Sequence, residues 1–116
     1  MDMSKNTTTN INQIPDLESA EILRAAKRMG CRKVPIREAK RICRNAWEIY
    51  EFEGRVLMSE RIAGSLYFRY RAFDSVEDAS RPGRLHRVVA QYDTTVGKGG
   101  PMVVRQWLND IGAVES

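Results

Sequence analysis

The sequence predicts a small α+β domain that is mainly helical, with an N-terminal helical hairpin, a short antiparallel strand pair and a C-terminal helix. Three observations predict this fold class. Apolar residues recur at helical spacing through the first half of the chain and again near its end. Apolar and polar residues alternate between those regions, which is typical of strands. The length of 116 residues suits one domain.

Composition and the first residues indicate the class of protein. Hydrophobic residues make up 42% of the chain, the usual share for a globular protein. We expect residues 1–15, which are polar, to form a flexible tail and residues 16–116 to form a single globular domain. No apolar run approaches the roughly 20 residues that cross a bilayer, and the first ten residues lack the apolar segment of a secretory signal. A cytoplasmic protein is therefore expected.

Two helices are predicted in the first half. Asp16 suits the N-cap of a helix over about 17–29. Gly30 suits the end of that helix, because glycine enters the left-handed region at low cost. A second helix is predicted over 35–53, because a proline is tolerated in its first turn and apolar residues follow at intervals of three and four. Gly54 is expected to end it.

The second half is predicted to contain strands and a terminal helix. Residues 55–73 fit both a strand and a helix, and the alternation over 66–73 favours the strand. The other predictions, in chain order, are a loop over 74–84, a strand over 86–96, a turn over 97–100 and a helix over 101–112. Seven large apolar side chains are expected in the core: Trp47, Tyr50, Leu66, Phe68, Val89, Trp107 and Leu108.

Few residues suit catalysis or metal binding. The chain has one histidine, His86, and two cysteines, Cys31 and Cys43, which stand twelve positions apart. Zinc sites need about four such ligands at close spacing, so no metal or other cofactor is expected. Because no nucleophile with a base is identifiable, the chain is predicted not to be an enzyme. The two cysteines are expected to be free buried thiols.

Positive charge is concentrated in one segment. The whole chain has 19 Lys and Arg against 15 Asp and Glu, a net charge of +4. Residues 24–44 contain nine of those cations and a single anion, Glu38, so this segment carries +8 and the rest of the chain −4. Such a concentration favours a polyanionic partner.

The same segment has a layout that suits two helices joined by a tight turn. Ala26 offers a small residue where a second helix would cross the first, and Gly30 follows four positions later at the turn. The positions expected to be buried are small or apolar: Ala25, Met29, Cys31, Ile36 and Ala39. Over residues 17–41 this layout resembles the helix-turn-helix DNA-binding unit, whose second helix lies in the major groove.

The resemblance implies a DNA-binding site and a function. Groove contacts would come from the second helix and the residues before it, and phosphate contacts from the flanking cations. Glu38 is expected to pair with a neighbouring arginine. The residues implied to bind DNA are Lys27, Arg28, Arg32, Lys33, Arg37, Arg41 and Arg44. The predicted function is a small basic protein that binds duplex DNA and regulates transcription, expected to form a homodimer.

Two alternatives use the same sequence differently. The basic segment would also suit a small, non-enzymatic inhibitor or adaptor that binds an acidic protein or a nucleic-acid-binding protein. The segment over 66–71 interleaves aromatic residues with arginine, and on a sheet such side chains stack on single-stranded bases.

Overall fold

Five antiparallel strands form one sheet in chain order, and helices cover parts of both of its faces. The computed structural model describes residues 19–61, 64, 67–95 and 100–113. The strands are β1 (Arg32–Lys33), β2 (Glu48–Phe52), β3 (Arg55–Arg61), β4 (Tyr67–Phe73) and β5 (Ala90–Thr95). The helices are α1 (Ser19–Arg28), α2 (Ile36–Ile42), α3 (Val76–Ser80) and α4 (Gly100–Asp110), with a 3₁₀ helix at Arg84–Arg87. The prediction of a mainly helical domain with a short strand pair is therefore wrong.

The two faces of the sheet form separate apolar cores. On the first face, Ile22 of α1 and Trp107 of α4 pack with Tyr50 and Leu57 of the sheet. Burial of side chains of this size stabilises the fold by about 1.5–3 kcal/mol each. On the opposite face, α2 and α3 pack their buried alanines against the sheet. That second core includes Ala39, Ala79, Ile49, Val56 and Phe73.

The predicted helix over 35–53 is also wrong, because the structure ends α2 at Ile42 and places strand β2 in its second half. Neighbouring residues of β2 point to opposite cores, Ile49 to one and Tyr50 to the other. Ala39, Cys43, Trp47 and Tyr50 are spaced by three or four residues, so the helical spacing of apolar residues continues in the sequence beyond the end of α2. Glu53 and Gly54, with φ of 49° and 83°, turn the chain from β2 into β3. Positive φ at both positions is typical of a type I′ hairpin turn.

Helix α1 ends as the sequence predicts. The N–H of Cys31 donates to the Ala26 carbonyl at 2.9 Å and the N–H of Gly30 to the Lys27 carbonyl at 3.0 Å. Gly30 has φ of 105°, so these bonds form the left-handed glycine ending of a helix. The same pair of bonds ends α4 at Gly112, which confirms the predicted end of the terminal helix.

After Gly30, however, the chain does not enter a second helix. Residues Arg32 and Lys33 pair with Glu51 and Tyr50 as the outer strand of the sheet. The chain thus passes around the edge of the sheet, so that α1 packs on one face and α2 on the other. The predicted helical hairpin is wrong, and with it the structural basis of the helix-turn-helix resemblance.

Several other predictions can be compared with the structure. Strand β4 confirms the strand predicted over 66–73, although Leu66 lies outside the described residues. The strand predicted over 86–96 begins only at Ala90, after the 3₁₀ helix. The loop predicted over 74–84 contains α3, whose N-terminus is capped by the Ser75 hydroxyl as it accepts the Asp78 N–H at 3.0 Å. The predicted tail over 1–15 and residues 97–99 of the predicted turn lie outside the described residues.

The core prediction is partly confirmed. Tyr50, Phe68, Trp107 and Leu108 are buried, whereas Trp47 and Val89 are 56% and 55% exposed, so the prediction is wrong for these two. Both cysteines are free and buried, as expected. Burial raises the pKa of the Cys31 thiol to about 11, so the thiol is protonated at neutral pH. Within the described ranges, no helix is long and apolar enough to cross a membrane.

Candidate nucleic-acid interface

The nine cations of residues 24–44 lie in α1, in β1, in α2 and in the segment that follows α2. Among the described strands, β1 pairs with β2 alone and therefore forms one edge of the sheet. Helix α1 ends just before β1, and α2 begins just after it on the opposite face. We call these nine residues the basic edge: Arg24, Lys27, Arg28, Arg32, Lys33, Arg37, Lys40, Arg41 and Arg44.

The packing of α1 and α2 turns most of these cations towards solvent. Ile22 and Ala26 of α1 are buried against the first core, so the cations at intermediate positions along α1 are exposed. Ala39 of α2 is buried against the second core in the same way. Six cations of the basic edge are exposed and form neither an ion pair nor a side-chain hydrogen bond with any described residue. They are Arg24, Lys27, Arg28, Arg37, Arg41 and Arg44.

The remaining three cations of the basic edge bind other parts of the chain. The Arg32 guanidinium donates to Glu38 of α2 at 3.0 Å and to Glu51 of β2 at 2.8 Å. These hydrogen bonds, first that to Glu38, raise the pKa of Arg32, and the same bond holds the pKa of Glu38 below its usual value. The Lys40 ammonium donates to the Ala46 carbonyl at 2.8 Å. The expected pairing of Glu38 with an arginine is confirmed.

Lys33 belongs to a polar cluster that the sequence analysis did not identify. The Glu48 carboxylate lies 3.1 Å from the Lys33 ammonium and accepts a hydrogen bond of 2.9 Å from the Tyr70 hydroxyl. It also accepts a longer bond of 3.5 Å from the Tyr50 hydroxyl. Burial and the nearby Glu48 charge raise the pKa of both tyrosines. The cluster therefore ties β1, β2 and β4 together with protonated tyrosines, which suits a structural role.

The structure thus divides the predicted DNA-binding residues into two groups. Lys27, Arg28, Arg37, Arg41 and Arg44 are exposed and form no ion pair with any described residue. Arg32 and Lys33 lie between them at β1, and both form ion pairs within the chain. The seven residues are divided among α1, the edge strand β1, α2 and the segment after α2, and do not lie on one helix.

The aromatic segment predicted for single-stranded nucleic acid does not present its rings. Phe68 and Tyr70 are buried in the first core, so neither ring is open to a base. The side chain of Tyr67 lies outside what the structure describes. This hypothesis is therefore wrong for the two rings that can be placed.

Neither the arrangement of possible metal ligands in the described residues nor the similarity to known proteins indicates a further site. No group of three or more His, Cys, Asp or Glu in the described part of the chain is arranged to hold a metal ion. Comparison of the chain with protein-family models, with curated proteins and with solved structures gives no match.

Proposed function

We propose that this protein binds DNA through its phosphate backbone, along the basic edge. The observation that supports the proposal is the group of six exposed cations that form neither an ion pair nor a side-chain hydrogen bond with a described residue. Duplex DNA carries about one negative charge per 1.7 Å of its axis, so it offers closely spaced phosphates to a surface of exposed cations. Arginine and lysine on a surface without internal partners keep their charge for an external anion.

The mode of binding follows from the edge rather than from a recognition helix. Helices α1 and α2 carry most of the exposed cations and lie on opposite faces of the sheet, so no single helix presents these cations to a groove of the duplex. Phosphate contacts position a protein on DNA without reading its sequence. Transcription regulation accordingly stays a prediction, since it depends on sequence readout.

The internal hydrogen bonds of the basic edge support the proposal because they hold the backbone of this surface in place. Arg32 connects α2 to β2 through Glu38 and Glu51. Lys40 holds the chain that leaves α2 by donating to the Ala46 carbonyl. The backbone that carries the exposed cations is therefore held in place before any anion binds, which lowers the entropy lost on binding.

A salt titration with a short duplex tests the proposal. If the six exposed cations each neutralise one phosphate, the logarithm of the binding constant should fall with the logarithm of salt concentration at a slope of about −5. Fluorescence anisotropy of a labelled duplex between 50 and 200 mM salt measures this slope. A slope near zero, or no binding at 50 mM, would contradict the proposal.

The alternative partner, an acidic protein surface, is an outcome of the same experiment. Poly-glutamate added as a competitor offers carboxylates without the phosphate spacing of DNA. If poly-glutamate displaces the duplex at equal charge concentration, the basic edge binds anions of any geometry and the DNA proposal is wrong. If displacement needs a large excess, the proposal is supported.

A further inference from the structure

The two tryptophans of this chain occupy opposite environments. Trp107 is 1% exposed in the first core, whereas Trp47 is 56% exposed in the segment between α2 and β2. An indole ring is the largest apolar side chain, and leaving it in water gives up the free energy that its burial would provide. Its exposure therefore calls for a role in contact with something outside the chain.

The exposed ring is held in a fixed position. The backbone N–H of Trp47 donates to the Ser59 carbonyl at 2.8 Å, which anchors this segment to β3. The indole meets the buried ring of Phe68 edge to face, with centroids 5.5 Å apart and an angle of 76° between the planes. A ring positioned by the core beneath it loses little conformational entropy on binding a ligand.

Trp47 also directly follows the basic edge. Arg44, one of the exposed cations, stands three residues before it, and Lys40 anchors the intervening segment at the Ala46 carbonyl. Exposed cations that follow a nucleic-acid backbone, beside an aromatic ring on which a base stacks, are the combination used to bind single strands. The buried rings of the 66–71 segment cannot supply this contact, but Trp47 can.

We infer that Trp47 stacks on an unpaired base of a DNA strand whose phosphates bind the basic edge. The inference rests on the proposed function and deepens it, because it makes single-stranded DNA the preferred ligand. In a blunt duplex the bases are stacked on each other, so only the phosphate contacts are available. Stacking does not depend on base identity, since every base has an aromatic face.

Tryptophan fluorescence separates the two contacts. A single-stranded oligothymidylate should quench the emission of exposed Trp47, while buried Trp107 serves as an internal reference that no ligand reaches. A blunt duplex of equal length should bind without that quenching. The variant Trp47→Ala should lose about tenfold in affinity for the single strand and keep its affinity for the duplex, measured by anisotropy at one salt concentration.

Two further variants complete the test. Leu85→Ala is the matched control, because Leu85 is 58% exposed and lies in the 3₁₀ helix outside the basic edge; it should bind both ligands as the wild type does. Trp47→Phe keeps an aromatic ring and should recover part of the lost affinity. Circular dichroism of each variant establishes that the fold is retained.

The outcomes distinguish the inference from the proposed function. Binding of both DNAs without Trp47 quenching, and with unchanged affinity in Trp47→Ala, would overturn the inference and leave the proposed function standing. Equal quenching by the duplex would overturn the preference for an unpaired base. Failure of both DNAs to bind at 50 mM salt would overturn the proposed function, and the inference with it.

Discussion

The arginines of this protein fall into two regions that differ in what neutralises them. Every arginine between positions 69 and 87 forms an ion pair with a carboxylate of the chain. The pairs are Arg69–Asp93, Arg71–Glu60, Arg81–Glu77, Arg84–Glu60 and Arg87–Asp78. On the basic edge, by contrast, six cations form neither an ion pair nor a side-chain hydrogen bond with any described residue.

The number of cations in a segment therefore does not by itself indicate a binding surface. A cation paired within the chain has already met an anion and contributes to the fold, whereas an unpaired one keeps its attraction for a partner. Glu60 illustrates the first case, because it lies between Arg71 and Arg84 and all three side chains are largely buried. The basic edge illustrates the second.

The largest effect on duplex binding is expected when two cations are removed from the basic edge, and the removal of two cations from the other region serves as the comparison. Arg37→Ala with Arg41→Ala should weaken duplex binding by about 10- to 100-fold, because two phosphate contacts are lost. Arg81→Ala with Arg87→Ala changes the net charge by the same amount and should weaken binding by less than about threefold. Anisotropy titrations of both double variants at 100 mM salt measure the effect. Equal losses would mean that binding follows net charge and not the basic edge.

A second prediction concerns stability. Glu60→Gln leaves the guanidinium groups of Arg71 and Arg84 without their carboxylate in a largely buried position, which should cost about 1–2 kcal/mol of unfolding free energy. Urea denaturation measures the change. Glu77→Gln, at an exposed pair, is the control and should leave the midpoint unchanged.

The smallest effect is expected at Arg32, which belongs to the basic edge but is paired within the chain like the arginines between positions 69 and 87. Arg32 of the basic edge is paired, so Glu38→Gln should release part of its charge for DNA and strengthen duplex binding by about two- to threefold. The gain should be smaller than that of a full phosphate contact, because Glu51 still binds Arg32. Weaker binding in this variant would show that Arg32 acts by holding α2 in place and does not contact phosphate.

Part of the fold and of the site followed from the sequence. The ends of α1 and α4 at glycine and the strand at β4 depend on residues within a few positions of each other. The burial of both cysteines was expected because a free thiol behaves as a small apolar group. The concentration of cations over 24–44 is a property of the chain itself. The identity of β2 did not follow, because Cys43, Trp47 and Tyr50 continue the helical spacing of α2 into the strand.

The sequence alone is enough to predict where the cations cluster and where α1 and α4 end at glycine. Which cations pair with a carboxylate depends on the tertiary structure, because the partners are far apart in the chain, as Arg32 and Glu51 are. It also decided that Trp47 is exposed while Trp107 is buried. The physical reason is that backbone preferences act over a few residues, whereas burial and ion pairing depend on which distant strands lie side by side.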